Sequence, residues 1–342
     1  MNCCKITLIL LLSLFCFFPL QAKIIRVLAI GNSFSEDAVE QYLYELAAAQ
    51  GDSLVIGNAY IAGCSIDRHY DNLRGDSALY AYRKIIGGVK AKHNGVTLRS
   101  IIQDEQWDVI SLQQASHLSG IVTSYTNLPL LKRLVQSYTT NLHVQFVWHM
   151  TWAYADDFTS DRFKPYNYSQ SRMYHNIISS MLNVLPSVGI RRIIPSGTAI
   201  QLMRHRMGNV LNRDGYHLSY TLGRYTAACT WCEFLTGRNV DGNKYWPATI
   251  TEQEAQTCQQ EAHEACFMQK KLTFSGFIDF WRGEKDNGHG QLVILTEPQL
   301  WYNFNEHFSV GTEWEMSSNF VYNTYNDKSF FLNPTLAVKW NL

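Results

Sequence analysis

Residues 24–33, Ile-Ile-Arg-Val-Leu-Ala-Ile-Gly-Asn-Ser, constrain the fold more than any other stretch. A mostly apolar run stops at a Gly-Asn-Ser turn, and Ser35-Glu36-Asp37 then opens a helical pattern that runs to about Gln50. Strand, tight turn and helix start in that order make a β-α unit, and the continuous apolar run marks the strand as buried on both faces. A serine at such a turn sits at the carboxyl end of a strand, where open α/β sheets bind ligands. It also sits beside the positive end of a helix dipole, which favours developing negative charge. Ser33 is therefore the candidate nucleophile.

The same grammar repeats along the chain. Strand patterns at 53–61, 108–114, 143–149 and 190–194 alternate with helical patterns at 97–105, 128–141, 173–188, from about 198, and at 220–237. A further polar helix is expected over 251–271, and the polar stretch 67–95 reads as a long, partly helical insertion over the sheet's carboxyl edge. The alternation predicts an α/β fold: a parallel five-stranded sheet with helices on both faces. From Phe274 the period changes to two, with turn residues at 286–288 and 326–328, so a short antiparallel β segment of about four strands should follow. The expected organisation is a leader over 1–22, a main domain over 23–271 and a β tail over 272–342.

Lys plus Arg and Asp plus Glu each number 29, so the net charge is zero. That balance argues against a nucleic-acid partner. The first residues carry one lysine, an apolar run over 6–20 and Gln21-Ala22, the pattern of a signal peptide cleaved after Ala22. An exported protein is expected, periplasmic or associated with an outer membrane. Five cysteines follow the leader, too few for a dense disulfide framework. Cys229-Thr-Trp-Cys232 has redox spacing but lies inside a helical pattern, which favours buried helical cysteines.

Several other residues fall where a ligand site would be. Gly63 follows the second strand, so its backbone amide can approach a ligand unobstructed. Gln113 and Gln114 end a buried strand, where an amide needs hydrogen-bond partners. Trp148, Trp152 and Tyr154 flank the end of the fourth strand and are candidates for an aromatic platform under a sugar ring. His117 and His149 are candidate substrate contacts. Asp214-Gly-Tyr-His217 lies in a polar loop before the helix at 220–237.

Taken together, Gly31-Asn32-Ser33, Gly63, the Gln113-Gln114 pair and Asp214-x-x-His217 resemble, in order and placement, the motif blocks of the SGNH (GDSL-type) hydrolases over about residues 24–240. Two departures stand out. Asn32 replaces the family's aspartate, which is not a triad member, so little change is expected. Gln113 or Gln114 stands where the family has an asparagine. The resemblance implies a flavodoxin-like sheet and a Ser33–His217–Asp214 triad. It implies an oxyanion site from the amides of Ser33 and Gly63 and a glutamine side chain, and no metal or organic cofactor. The expected activity is that of an exported serine esterase removing an acetyl or other acyl group from a carbohydrate or related small ester.

His263-Glu264-Ala-Cys266-Phe267 lacks the second histidine of a zinc-protease helix, so metal hydrolysis is set aside. Two alternatives have their own sequence cues. Residues 273–342 resemble the last part of outer-membrane barrels of the nucleoside-channel type, through 296–302, 310–315 and 334–340, which implies a channel or anchor. Four strands cannot close a barrel, so the tail is expected to pack as a small remnant sheet rather than pair between chains. A non-catalytic glycan-binding relative is the other alternative.

Overall fold

The computed structural model describes residues 23–284, 289–304, 307–320 and 330–340. The expected leader over 1–22 with Cys3, Cys4 and Cys16, and the turns at Asp286 to Gly288 and Asn326 to Lys328, lie outside the described residues.

The elements of the main domain run β1 (Ile24–Gly31), α1 (Ser33–Val39), α2 (Leu43–Ala49), β2 (Ser53–Tyr60), α3 (Ile66–Arg74), β3 (Tyr80–Ile86), β4 (Val89–Val96), α4 (Leu98–Gln103) and β5 (Val109–Leu112). They continue with α5 (Leu128–Tyr138), β6 (Gln145–His149), α6 (Gln170–Val188), β7 (Arg192–Ile194), α7 (Ser196–Met207), α8 (Leu222–Thr236) and α9 (Glu252–Lys271). The strands form one seven-stranded sheet in the order β4-β3-β2-β1-β5-β6-β7. The five expected strands, β2-β1-β5-β6-β7, are all parallel. β1 lies between β2 and β5, so the strand order reverses at its carboxyl end. This is the switch point at which doubly wound sheets bind ligands, and Gly31, Asn32 and Ser33 occupy it. The burial of β1 follows its sequence: Val27, Leu28, Ala29 and Ile30 are all at most 1% exposed.

Two expectations are corrected. The stretch 67–95 is partly helical, through α3, but its second half is not an insertion over the carboxyl edge. After α3 it forms the hairpin β3–β4, which extends the sheet antiparallel beyond β2. Gly87 and Gly88, with φ of 59° and 79°, make the two-residue turn that matches strand twist. The helix expected from 35 to 50 is two helices, α1 and α2, separated at Tyr42 with φ 67°. The break coincides with an inward-turned Glu40. Its carboxylate accepts from Asn58 Nδ2 at 2.6 Å and pairs with Arg83 at 2.9 Å and Lys90 at 3.3 Å.

The C-terminal segment is antiparallel: β8 (Leu272–Ser275), β9 (Ile278–Glu284), β10 (Gly290–Thr296), β11 (Gln299–Asn303), β12 (Phe308–Ser318) and β13 (Phe330–Trp340). β8 with β9, and β10 with β11, are each one row interrupted by a break, so the described strands make four rows. Among the described residues the sheet has two open borders, β13 on one side and β8 with β9 on the other.

The Glu40–Arg83 pair ties the hairpin to the helix that begins with Ser33, and Glu40 is almost fully buried. Arg83→Met should destabilise the protein by about 1–3 kcal/mol, because a buried carboxylate loses its closest cation while Asn58 and Lys90 remain. Arg74→Met, which removes an exposed pair with Asp71, should change stability by no more than about 0.5 kcal/mol. Urea unfolding of both variants checks the contrast.

Candidate active site

Ser33 is the first residue of α1, and Asn32 is its N-cap. The Asn32 side chain uses both ends of its amide. Its Oδ1 accepts from Phe34 N–H at 3.0 Å and from Gln113 Nε2 at 2.9 Å, while its Nδ2 donates to Cys64 O at 3.0 Å. One 1%-exposed side chain thus joins the helix start, the end of β5 and the loop that carries Gly63. An aspartate could not donate to Cys64 O, so the asparagine matters here more than the sequence reading allowed. Gly31 makes room for this arrangement: a Cβ there would lie 2.8 Å from Gln113 Cδ and 2.6 Å from Ser35 Oγ.

Gly63 adopts φ 60° and is exposed, with nothing within 4 Å of where a Cβ would sit. Among the described residues the backbone N–H groups of Ser33 and Gly63 donate to no protein atom. The two glutamines divide their work. Gln114 is spent on the loop: its Oε1 accepts from Ile66 and Ala115 N–H, and its Nε2 donates to Ser124 O and Oγ. Gln113 Nε2 donates to Asn32, and its Oε1 faces His149 Nδ1 at 2.9 Å.

His149 is fully buried, and burial drives its pKa down to about 3, so it is neutral. A neutral ring facing Gln113 Oε1 carries its proton on Nδ1, and Nε2 has no hydrogen-bond partner among the described residues. Trp152, also fully buried, stacks on Phe34 at 4.3 Å between centroids and donates from Nε1 to Tyr216 O at 2.8 Å. Trp148 and Tyr154 are buried too. The aromatic platform expected from these three does not form; they are core, packed where the loop after β6 returns to the sheet. His117 is partly buried, and its carbonyl accepts from Tyr166 Oη.

Asp214 and His217 lie in the loop between α7 and α8. His217 Nδ1 is 2.7 Å from Asp214 Oδ2, and Asp214 Oδ1 accepts the backbone N–H of His217 at 2.8 Å and of Tyr216 at 3.3 Å. Partial burial raises the Asp214 carboxyl, but the hydrogen bonds from the His217 ring and these amides outweigh it and hold the carboxyl below its usual value. His217 Nε2 has no hydrogen-bond partner among the described residues. The His217 ring lies 3.9 Å from Tyr216 and 6.2 Å from Phe34, the residue after Ser33. No hydrogen bond joins Ser33 Oγ to His217 in this structure. Catalytic hydrogen bonds are often long in unliganded sites and tighten around substrate.

What delivers the His217 loop to Ser33 is a residue that sequence reasoning missed. Asp37, four residues after Ser33 on α1, is fully buried. Its carboxylate accepts Leu218 N–H at 2.8 Å and pairs with Arg213 at 3.0 Å and Arg224 at 2.5 Å. One carboxylate therefore bolts the segment 213–218 to the helix that starts at Ser33. A signal was available: an acidic residue on the apolar side of an amphipathic helix needs a cationic partner, and Arg213 directly precedes Asp214.

A cleft of about 340 Å³ lies at the other end of the sheet, lined by Lys23, Asp108, His143 and Arg192 among others. None of the candidate residues lines it. Cys229 and Cys232 are buried and not joined in a disulfide, and burial pushes the Cys232 thiol up to about 12, so the Cys229–Cys232 spacing is structural.

A doubly wound α/β domain with a serine at its switch point and an Asp-x-x-His loop pinned beside it is the class defined by fold and site. Residues 26–265 match the family model "Domain of unknown function (DUF4886)", and the chain belongs to that family. Residues 230–342 match a second model, "Domain of unknown function (DUF5020)". A crystal structure of a DUF4886 family protein from Bacteroides uniformis is 47% identical, with a TM-score of 0.70, over 71% of this chain and 95% of that one. A variant of Axe2, an acetyl xylan esterase from Geobacillus stearothermophilus, is 9% identical over 66% of this chain and 97% of its own, with a TM-score of 0.38. LAE5, an alpha/beta hydrolase enzyme from a Lake Arreo metagenome, is 12% identical over 63% and 97%, with a TM-score of 0.40. Likeness at those scores carries no inference about chemistry. No curated protein matches the sequence.

Two measurements check the loop's anchoring. Asp37→Asn leaves two arginines facing a neutral group and should cost about 3–5 kcal/mol, with faster hydrogen exchange at Leu218 and His217. For Asp214, a folded value below the ordinary 3.8 means a stabilising contribution that is present above that value and lost as pH falls through the folded one. The stability difference between wild type and Asp214→Asn should therefore hold above about pH 4 and shrink on further acidification.

Proposed function

We propose that this protein is an exported serine hydrolase of the SGNH type that cleaves a small acyl ester, acetyl in the first instance. The observation that carries the reading is the His217–Asp214 pair at 2.7 Å, bolted through Asp37 to the helix that opens with Ser33. In this mechanism His217 Nε2 takes the Ser33 proton as Oγ attacks the ester carbonyl, then returns it to the departing alcohol. Asp214 holds the imidazole with its proton on Nδ1 and stabilises the charge that forms. Water, activated by the same nitrogen, then releases the acyl group from Ser33. The oxyanion is received by the free N–H groups of Ser33 and Gly63, with the second amide proton of Gln113 as a third donor. Gln114, whose amide is engaged on both sides, has no part in this. Partial burial of Ser33 and of His217 favours a small acyl group. The sugar preference loses its aromatic support and is not carried forward.

Hydrolysis of p-nitrophenyl acetate by the protein from residue 23 onward tests this. Ser33→Ala and His217→Ala should each lower kcat by about a thousandfold or more. Asp37→Asn, if folded, should lower kcat with little change in KM. Equal rates for wild type and Ser33→Ala would end the assignment.

A further inference from the structure

The C-terminal sheet has two unlike faces. Cross-strand register places Leu336 opposite Thr312 and Leu300, and Val338 opposite Val310 and Tyr302. On β9 and β10 the same face carries Phe280 opposite Ile294. These side chains are left in the open: Leu336 is 81% exposed, Phe280 72%, Val338 66% and Trp340 66%. The reverse face carries Glu313 opposite Thr335, Glu315 opposite Asn333 and Lys339 opposite Ser309. An exposed apolar face continuous over four rows exceeds the patch a water-soluble monomer normally shows.

Two features fit a bilayer better than a second protein surface. β12 and β13 are each 11 residues long, the length of a tilted strand crossing a hydrocarbon core. Aromatic rings gather at the two ends of the sheet. Tyr302, Phe304, Phe308 and Trp340 lie in successive contact near α9, and the exposed Phe330, opposite Ser318, stands at the far end of the same face. That is the girdle arrangement of barrel walls, whereas a sandwich core would concentrate its largest rings centrally.

Among the described residues β13 pairs only with β12, and β8 with β9 forms the opposite border. An open edge is not tolerated in lipid, where every backbone N–H and C=O must be satisfied. With four antiparallel rows, the border row of one copy can pair antiparallel with the first row of a second. Two copies then supply eight rows, the smallest number that closes. We infer that the sheet is a membrane-inserting element: lipid acyl chains cover its apolar face, and a second copy of the chain satisfies its edges. This goes beyond the proposed hydrolase and does not depend on it.

The full chain from residue 23 is refolded with phosphatidylethanolamine–phosphatidylglycerol vesicles, washed with urea and floated on a density gradient. Wild type should float and crosslink as a dimer. Leu336→Arg with Val338→Arg should reduce the floated fraction at least tenfold, while Thr335→Arg on the reverse face should float like wild type. Thermal unfolding of the main domain, unchanged in all three, establishes that the variants fold whether or not the protein cleaves esters. Three results would overturn the inference. One is wild type remaining at the bottom of the gradient. Another is equal loss of flotation in Thr335→Arg. The third is a vesicle-free dimer in water that the Leu336 and Val338 substitutions abolish, which would assign the face to a second copy instead.

Discussion

A single buried carboxylate fixes where the loop of Asp214 and His217 lies against the helix that begins with Ser33. Asp37 sits on the first helix with no exposed surface, and its two oxygens are met by Arg213, Arg224 and the Leu218 amide. Leaving such a charge in the interior without partners costs several kcal/mol, so the partners must come to it. Two of the three belong to the segment that carries Asp214 and His217. The desolvation of one side chain thereby dictates where a distant loop lies, and the loop is otherwise only partly buried. Tyr216, in tilted ring contact with His217 and accepting from Trp152 at its carbonyl, holds the same segment from its other side.

A second buried polar line runs beneath the serine. Asn32, Gln113 and His149 are each at most 2% exposed and are linked head to tail. Every amide in it has a definite orientation, because reversing one would place donor against donor. His149 ends the line as a neutral ring among Trp152 and Trp231. A linked network of this kind resists rearrangement, and it fixes the serine turn against the ends of β2 and β5 while its members stay almost wholly out of solvent. The residues expected to meet substrate as an aromatic platform serve instead as the packing around it.

Much of this architecture was legible along the chain. The five parallel strands, the helices between them and the antiparallel tail follow from apolar runs and their period, and the run of residues 24–33 identified the central strand. The hairpin β3–β4 was misread because its strand pattern is diluted by lysines and an exposed outer row, although Gly87-Gly88 marked its turn. The break at Tyr42 was not legible, since 35–50 has continuous helical periodicity and the Glu40–Arg83 pair beside the break joins residues far apart along the chain. Exposure was equally hidden. Trp148, Trp152 and Tyr154 read as a surface or as core with the same letters, and only the return of the 150–160 loop onto Gly215 and Tyr216 buries them.

The amino-acid order by itself determined which chemistries were on offer: a serine at a strand-to-helix turn, an aspartate three residues before a histidine, and an amphipathic tail with no partner of its own. Local rules suffice for these, because turn geometry, side-chain spacing and period are properties of neighbouring residues. Only the tertiary structure decided which groups share a site. It gave the two glutamines different partners, holding Gln114's amide on Ile66, Ala115 and Ser124 and linking Gln113 to Asn32 and His149. It also recruited Asp37 and Arg213, separated by most of the domain, into one ion pair. Such choices depend on which polar groups lose water together, and that is settled by the packed fold rather than by any segment of the chain.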